Sequence, residues 1–115
     1  EQSGYLAGIC DTDNILHAFG TGRKALLGHA VSDEVTELMS ARRSHLASLA
    51  EGGRILPVVR DGEGEYTAQL IVPIVSGGDC LGAVILLSEE TGAVMEASCV
   101  KLARLTADII ASQFI

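Results

Sequence analysis

The sequence predicts an α+β domain with a central, mainly antiparallel sheet of about five or six strands, flanking helices and a long C-terminal helix. Three observations carry this. Tyr66–Val75 and Cys80–Ser88 are two Val/Ile/Leu-rich runs joined by Ser76-Gly77-Gly78-Asp79, which reads as a β-hairpin with a tight turn. Within the second run, Ala83-Val84-Ile85-Leu86-Leu87 barely alternates, so the strand is expected to be covered on both faces. Finally, Ala93–Phe114 contains no Gly or Pro and reads as one helix.

The remaining elements follow in chain order. Tyr5–Cys10 reads as a first strand, Asp11-Thr12-Asp13-Asn14 as a turn and Ile15–Phe19 as a second strand. Alternation places Leu16 and Ala18 on one face and Ile15, His17 and Phe19 on the other. Arg23–Leu27 reads as one or two helical turns closed by Gly28. Ser32 is a good N-cap, and Asp33 and Glu34 suit the positive first turn that follows. The spacing of Val35, Leu38, Met39, Leu46 and Leu49 predicts a helix from Asp33 to about Ala50, with a break allowed near Arg42-Arg43-Ser44. Glu51-Gly52-Gly53 reads as a flexible connection. Ile55–Arg60 reads as a third strand, placed at an edge or a strand start by Pro57. Asp61-Gly62-Glu63-Gly64 reads as the turn into the hairpin.

The totals bound the function. At 115 residues the chain is expected to form a single domain, residues 1–115, with 48% hydrophobic residues to build a core and only 3% aromatic ones. A net charge of −7 speaks against direct binding to nucleic acid or to an anionic membrane. Three cysteines with no Cys-x-x-Cys read as reduced thiols of a cytoplasmic protein. No apolar stretch is long enough to span a bilayer and no signal-peptide pattern is present. The chain starts at Glu1 without a methionine, so it reads as a piece of something longer.

One stretch carries specific detail. Ile9-Cys10-Asp11-Thr12-Asp13, then Val72-Pro73-Ile74-Val75-Ser76-Gly77-Gly78-Asp79 and Leu81-Gly82-Ala83-Val84-Ile85, together with Ser32–Ser48, resemble the C-terminal GAF-like domain of the stage V sporulation protein T family of transcription regulators. The element order is that of the PAS/GAF superfamily. The resemblance implies a regulatory domain that senses an effector, dimerises, or both. It also implies an AbrB-like swapped-hairpin DNA-binding domain N-terminal to it, through which DNA would be reached. The family carries a helix ahead of the first strand that commonly bundles with the C-terminal one; here only Glu1-Gln2-Ser3 precede the first strand.

Candidate chemistry is sparse. Gly20-Thr21-Gly22-Arg23-Lys24 lacks phosphate-loop spacing and reads as a turn. His17, His29 and His45 are too dispersed for a metal site, and no metal or cofactor is expected. Asp61, Glu63 and Glu65 lack calcium-loop spacing and read as a solvated turn. Cys10, Cys80 and Cys99 have no neighbouring cue for activation, so no enzyme activity is expected. His17 and Phe19 lie where GAF-like domains line their pocket, although a hydrogen-bonded buried histidine is the plainer reading of His17. Arg42, Arg43 and Arg60 are candidates for an anionic effector, since Arg offers a rigid donor fork. Tyr66 completes the ligand-binding set. The wide apolar arc of the last helix makes Val94, Leu102, Leu105, Ile109 and Phe114 the candidate interface of a homo-oligomer. Two further readings remain open: a pure oligomerisation scaffold with no ligand, and a small cysteine-based redox enzyme.

Overall fold

The computed structural model describes residues 5–62 and 65–113. Its centre is the expected hairpin, β4 (Ala68–Ser76) and β5 (Asp79–Ser88), paired antiparallel from Ala68↔Ser88 to Ser76↔Asp79. Gly77 and Gly78 both have positive φ, 61° and 89°, as a two-residue turn matched to strand twist demands. β1 (Tyr5–Cys10) pairs with β5 on one side and with β2 (Ile15–Phe19) on the other. β3 (His45–Ser48) borders β4. The result is a five-stranded, wholly antiparallel sheet in the order β2-β1-β5-β4-β3.

Both faces of the central strands are covered, which explains the weak alternation of Ala83–Leu87. On one face, Ala68, Leu70, Val72 and Ile74 of β4 and Val84 of β5 pack against Ala103, Ala107 and Ala111 of α2 (Ala97–Ser112). Alanine at every fourth position lets the helix backbone lie close to the sheet. On the other face, Leu6, Cys10, Ile71, Ala83, Ile85 and Leu87 meet Val35 and Met39 of α1 (Asp33–Ala41), together with Leu26, Val58 and Val59 from irregular segments. At the end of β1 the strands approach so closely that a Cβ on Gly82 would sit 1.8 Å from the Cys10 carbonyl oxygen.

Ser32 caps α1 as expected: its Oγ accepts from the Val35 N–H at 3.1 Å, and Asp33 and Glu34 occupy the first turn. The helix is nevertheless shorter than its periodicity implied. It stops at Ala41, and Arg42 takes the left-handed conformation (φ 54°) in which a helix C-terminus usually holds glycine. The Arg42 N–H caps the Leu38 and Met39 carbonyls, and its Nε donates to the Gly78 carbonyl in the hairpin turn. The local cap and the tertiary bond to Gly78 together hold a conformation that the residue type disfavours. The chain then leaves as β3, so Leu46 belongs to a strand and Leu49 to a 3₁₀ turn at Leu49–Glu51, instead of to the helix.

Ile55–Arg60 is also not the expected strand. Pro57 has no N–H to give a ladder. The segment instead crosses the face of the sheet as a strap. The wholly buried Gln69 of β4 reads its backbone in place of a neighbouring strand: Nε2 donates to the Leu56 carbonyl at 2.7 Å, and the Leu56 N–H donates to Oε1 at 2.9 Å. Ser32 Oγ donates to the Pro57 carbonyl at 2.6 Å, the Ser32 N–H to the Val58 carbonyl at 2.8 Å, and the Arg60 N–H to the Ala30 carbonyl at 3.0 Å.

Smaller differences have local causes. α2 starts at Ala97 instead of Ala93, because the Ala93 carbonyl accepts from Ser48 Oγ at 2.9 Å and Met95 is buried, which holds the approach extended. Arg23–Ala25 forms a 3₁₀ turn, and Gly28 has the expected positive φ of 81°. The connection at Glu51-Gly52-Gly53 is ordered by the Gly53 N–H donating to the Ser48 carbonyl at 2.8 Å. The predicted turn at 61–64 falls partly on Glu63 and Gly64, outside the described residues. Among the described residues no helix is long and apolar enough to cross a membrane.

Candidate functional site

A partly enclosed space lies on the α1 side of the sheet. The strap residues Ile55–Val59 form one wall, Ala25 and Leu26 another, and Gly62 and Tyr66 complete a cavity of about 210 Å³. Leu26, Val58 and Val59 are buried, and Tyr66 is half-buried. Burial pushes the Tyr66 hydroxyl's pKa up, and the Glu89 charge adds to this, so the hydroxyl keeps its proton and can donate. Among the described residues no charged side chain lines the cavity.

Of the predicted ligand residues, only Tyr66 lines this cavity. His17 and Phe19 pair with Ile9 and Ala7. Residues directly opposite in an antiparallel pair share a face, and Ile9 packs in the α2-side cluster. His17 and Phe19 therefore lie on the α2 side of the sheet, away from the cavity, and both are exposed. Neither the plain reading of a buried His17 nor the expected face pattern describes this strand. The cause is a bulge: Cys10 pairs with Ile15 and Ile9 with His17, so Leu16 is an extra residue. Ile15 thereby turns into the α1-side core while His17 and Phe19 face the other way.

The arginines are also dispersed. Arg60 is exposed and forms an ion pair with Asp33 at 3.6 Å. Arg42 is committed to Gly78 and donates from Nη1 to the Ser40 carbonyl at 3.0 Å. Arg43 lies with Arg54 in an open groove beside Asp33, Glu34 and Glu37. An anion entering there would meet three carboxylates against two guanidinium groups.

The cysteines are in quiet surroundings. Burial pushes the Cys10 thiol up to about 12, only partly offset by a hydrogen bond from the Ala83 backbone. Cys80 Sγ donates to the Gly82 carbonyl at 3.2 Å. Cys99 hydrogen-bonds the Tyr5 side chain, which with burial raises the Tyr5 pKa. Among the described residues no three His, Cys, Asp or Glu side chains gather as a metal site would require.

Three of the five predicted oligomer residues share one surface. Leu102, Leu105 and Ile109 fall at helical spacing along the outer side of α2 and are 64%, 55% and 53% exposed; Val94, just before the helix, is exposed as well. Phe114 lies outside the described residues.

Sequence reasoning missed the strap, Leu26 and Gln69 as parts of the site. One signal was present: Gln69 is the lone polar residue between Ala68 and Leu70 at the start of a buried strand. A buried amide there has to find partners.

A five-stranded antiparallel sheet with α2 on one face and α1 with irregular segments on the other defines a GAF-like α+β domain. The chain belongs to the family described as stage V sporulation protein T C-terminal, transcription factor, whose model matches residues 1–114. It is 30% identical over 90 residues to stage V sporulation protein T of Bacillus subtilis (strain 168), covering 78% of this chain and 49% of that protein. The chain thus spans about half the length of that curated relative. In fold it is similar to a type II free methionine-R-sulfoxide reductase from Thermoplasma acidophilum, with a TM-score of 0.68 at 11% identity, covering 93% of this chain and 76% of that one. At that identity the likeness concerns the fold alone.

Proposed function

We propose that this is the regulatory domain of a sporulation transcription factor, and that it pairs with a second copy of itself through the outer side of α2. The observation that carries the proposal is the stripe Leu102–Leu105–Ile109, three large apolar side chains exposed on the helix whose inner side is an alanine ladder. A contiguous apolar stripe with a polar surround marks an interaction surface. Its flanking charges are self-complementary: Lys101 lies toward one end of the stripe and Asp108 toward the other, so two antiparallel copies of α2 bring opposite charges together. The role is regulatory rather than catalytic, and DNA would be reached through an N-terminal domain of the AbrB-like kind.

Sedimentation equilibrium tests the pairing. Leu105 is solvent-exposed in the single chain, so Leu105→Glu should leave the circular dichroism spectrum unchanged while converting dimer to monomer. A wild-type chain that stays monomeric at about 100 μM, well above micromolar dissociation constants, would refute the proposal.

A second reading has its own observation. The cavity between strap and sheet supports effector sensing: a ligand that prefers one arrangement of the strap would shift the population of domain states. The scaffold reading, in which no ligand binds, predicts that the cavity takes nothing up.

A further inference from the structure

We infer that the cavity beneath the strap binds a compact, uncharged molecule with an apolar body and one hydroxyl or carbonyl group. The inference rests on the sensing reading, and it replaces the anionic effector that the arginines pointed to.

Size comes first. A 150 Å³ apolar cavity holds benzene, so 210 Å³ accommodates about six to ten non-hydrogen atoms. That is below the range of roughly 300–1,000 Å³ usual for drug-sized ligands and too small to enclose a nucleotide. Charge comes second. Among the described residues the walls are aliphatic side chains, glycine, strap backbone and Tyr66, with no cation to neutralise a carboxylate or phosphate and no carboxylate to meet an amine. Burying an unpaired charge there would cost far more than the contacts return.

Polar complementarity comes third. The Leu56, Pro57 and Val58 carbonyls are already engaged by Gln69 and Ser32, and the Leu56 N–H by Gln69. Among the described residues the Ile55 and Val58 N–H groups have no protein partner. With the Tyr66 hydroxyl, these are donors carried by residues of the lining, a complement to one acceptor on an otherwise apolar ligand.

The test uses 4-methylphenol, which is uncharged at pH 7, with 4-methylbenzoate and adenosine as charged and oversized counterparts. Each is titrated into the ¹⁵N-labelled chain and followed by amide chemical shifts. The expected result is saturable binding of 4-methylphenol with a dissociation constant of about 1 mM, as suits a ligand this small. The shifts should centre on Leu26, Leu56, Val58, Val59, Tyr66 and Gln69. The benzoate should bind at least about tenfold more weakly, and adenosine should leave these amides unmoved. Ala25 is exposed at the rim, so Ala25→Phe should block the cavity and abolish the shifts without changing the rest of the spectrum. Tyr66→Phe should weaken binding several-fold. Linear, non-saturating shifts, equal binding of the benzoate, or full binding by Ala25→Phe would overturn the site.

Sedimentation of the same samples separates the two claims. Saturable binding with an unchanged dimer constant keeps the ligand site and removes the sensing role. A changed dimer constant supports both.

Discussion

The two faces of the sheet are covered by different physical means. The α2 face is closed by repetition: Ala103, Ala107 and Ala111 meet Ala68, Leu70, Val72 and Ile74, apolar side chain against apolar side chain. The α1 face is closed by a short helix, a 3₁₀ turn and a strap with no regular structure, which exposes more backbone polarity than packing alone can satisfy. That face depends on side chains that bond backbone: Gln69 to Leu56, Ser32 to Pro57, and Arg42 to Gly78. The difference teaches where a site can form. A helix at close range leaves no space over the sheet, whereas a strap held at a few points leaves the 210 Å³ cavity.

If side-chain-to-backbone bonds are what secure the α1 face, the largest loss should come from Gln69→Leu. The replacement is apolar and close in size, so packing is nearly retained. It leaves the Leu56 N–H and carbonyl without their partner, at about 1–3 kcal/mol per unsatisfied buried group, moderated here because Leu56 is only half-buried. We expect about 3 kcal/mol in urea unfolding, with amide exchange at Leu56 accelerated well beyond that in α2. A loss under about 1 kcal/mol would mean that packing of Val58 and Val59 holds the strap unaided.

The same contrast decides what was legible in the sequence. β1 and β2, the central hairpin and the Ser32 cap announce themselves through local chemistry: alternation, Asp-Thr-Asp-Asn, Gly-Gly and an N-cap serine. The body of α2 is legible for the same reason, as an unbroken apolar period, and so is its exposed stripe. The end of α1 is not. Leu46 lies seven residues after Met39, in phase with a continuing helix, and no Gly or Pro marks the stop. What stops it is Arg42 reaching Gly78, a contact 36 positions away. Ile55–Arg60 has strand composition, yet a glutamine on β4 and a serine at the head of α1 fix it as a strap. The candidate site suffered most, because strap, 3₁₀ turn and Tyr66 come together only through these long-range bonds. The Leu16 bulge also removed His17 and Phe19 from that face.

The α2 face should yield to a different insult. Ala107 is 3% exposed, midway along the alanine ladder. Ala107→Leu adds three carbons where helix and sheet are closest, and overpacking of this kind costs about 1–3 kcal/mol. We expect about 2 kcal/mol in urea unfolding, with the cavity-centred amides unperturbed, since the sheet lies between. A neutral result would show slack between α2 and the sheet and erase the distinction between the faces.

The smallest effect concerns Cys10, which lies on the strap's side of the sheet and reports how dry that core is. Its thiol is pushed up to about 12 by burial. In the unfolded chain a thiol titrates near its ordinary value, so above about pH 8.5 the unfolded state loses a proton that the folded state keeps. The unfolded state then binds fewer protons, and stability falls as pH rises from the unfolded pKa toward the folded one. Between pH 9 and pH 10 this one group should remove about 1 kcal/mol. Tyr5 and Tyr66, also raised, act in the same direction at higher pH. The measurement is therefore a difference: urea stability of the wild type minus that of Cys10→Ala across pH 7–10. Contributions common to both proteins cancel, and the difference should be flat to about pH 8 and then decline. A difference flat throughout would mean that water reaches Cys10 in the folded chain, and that the irregular face is as permeable in its core as it is at the cavity.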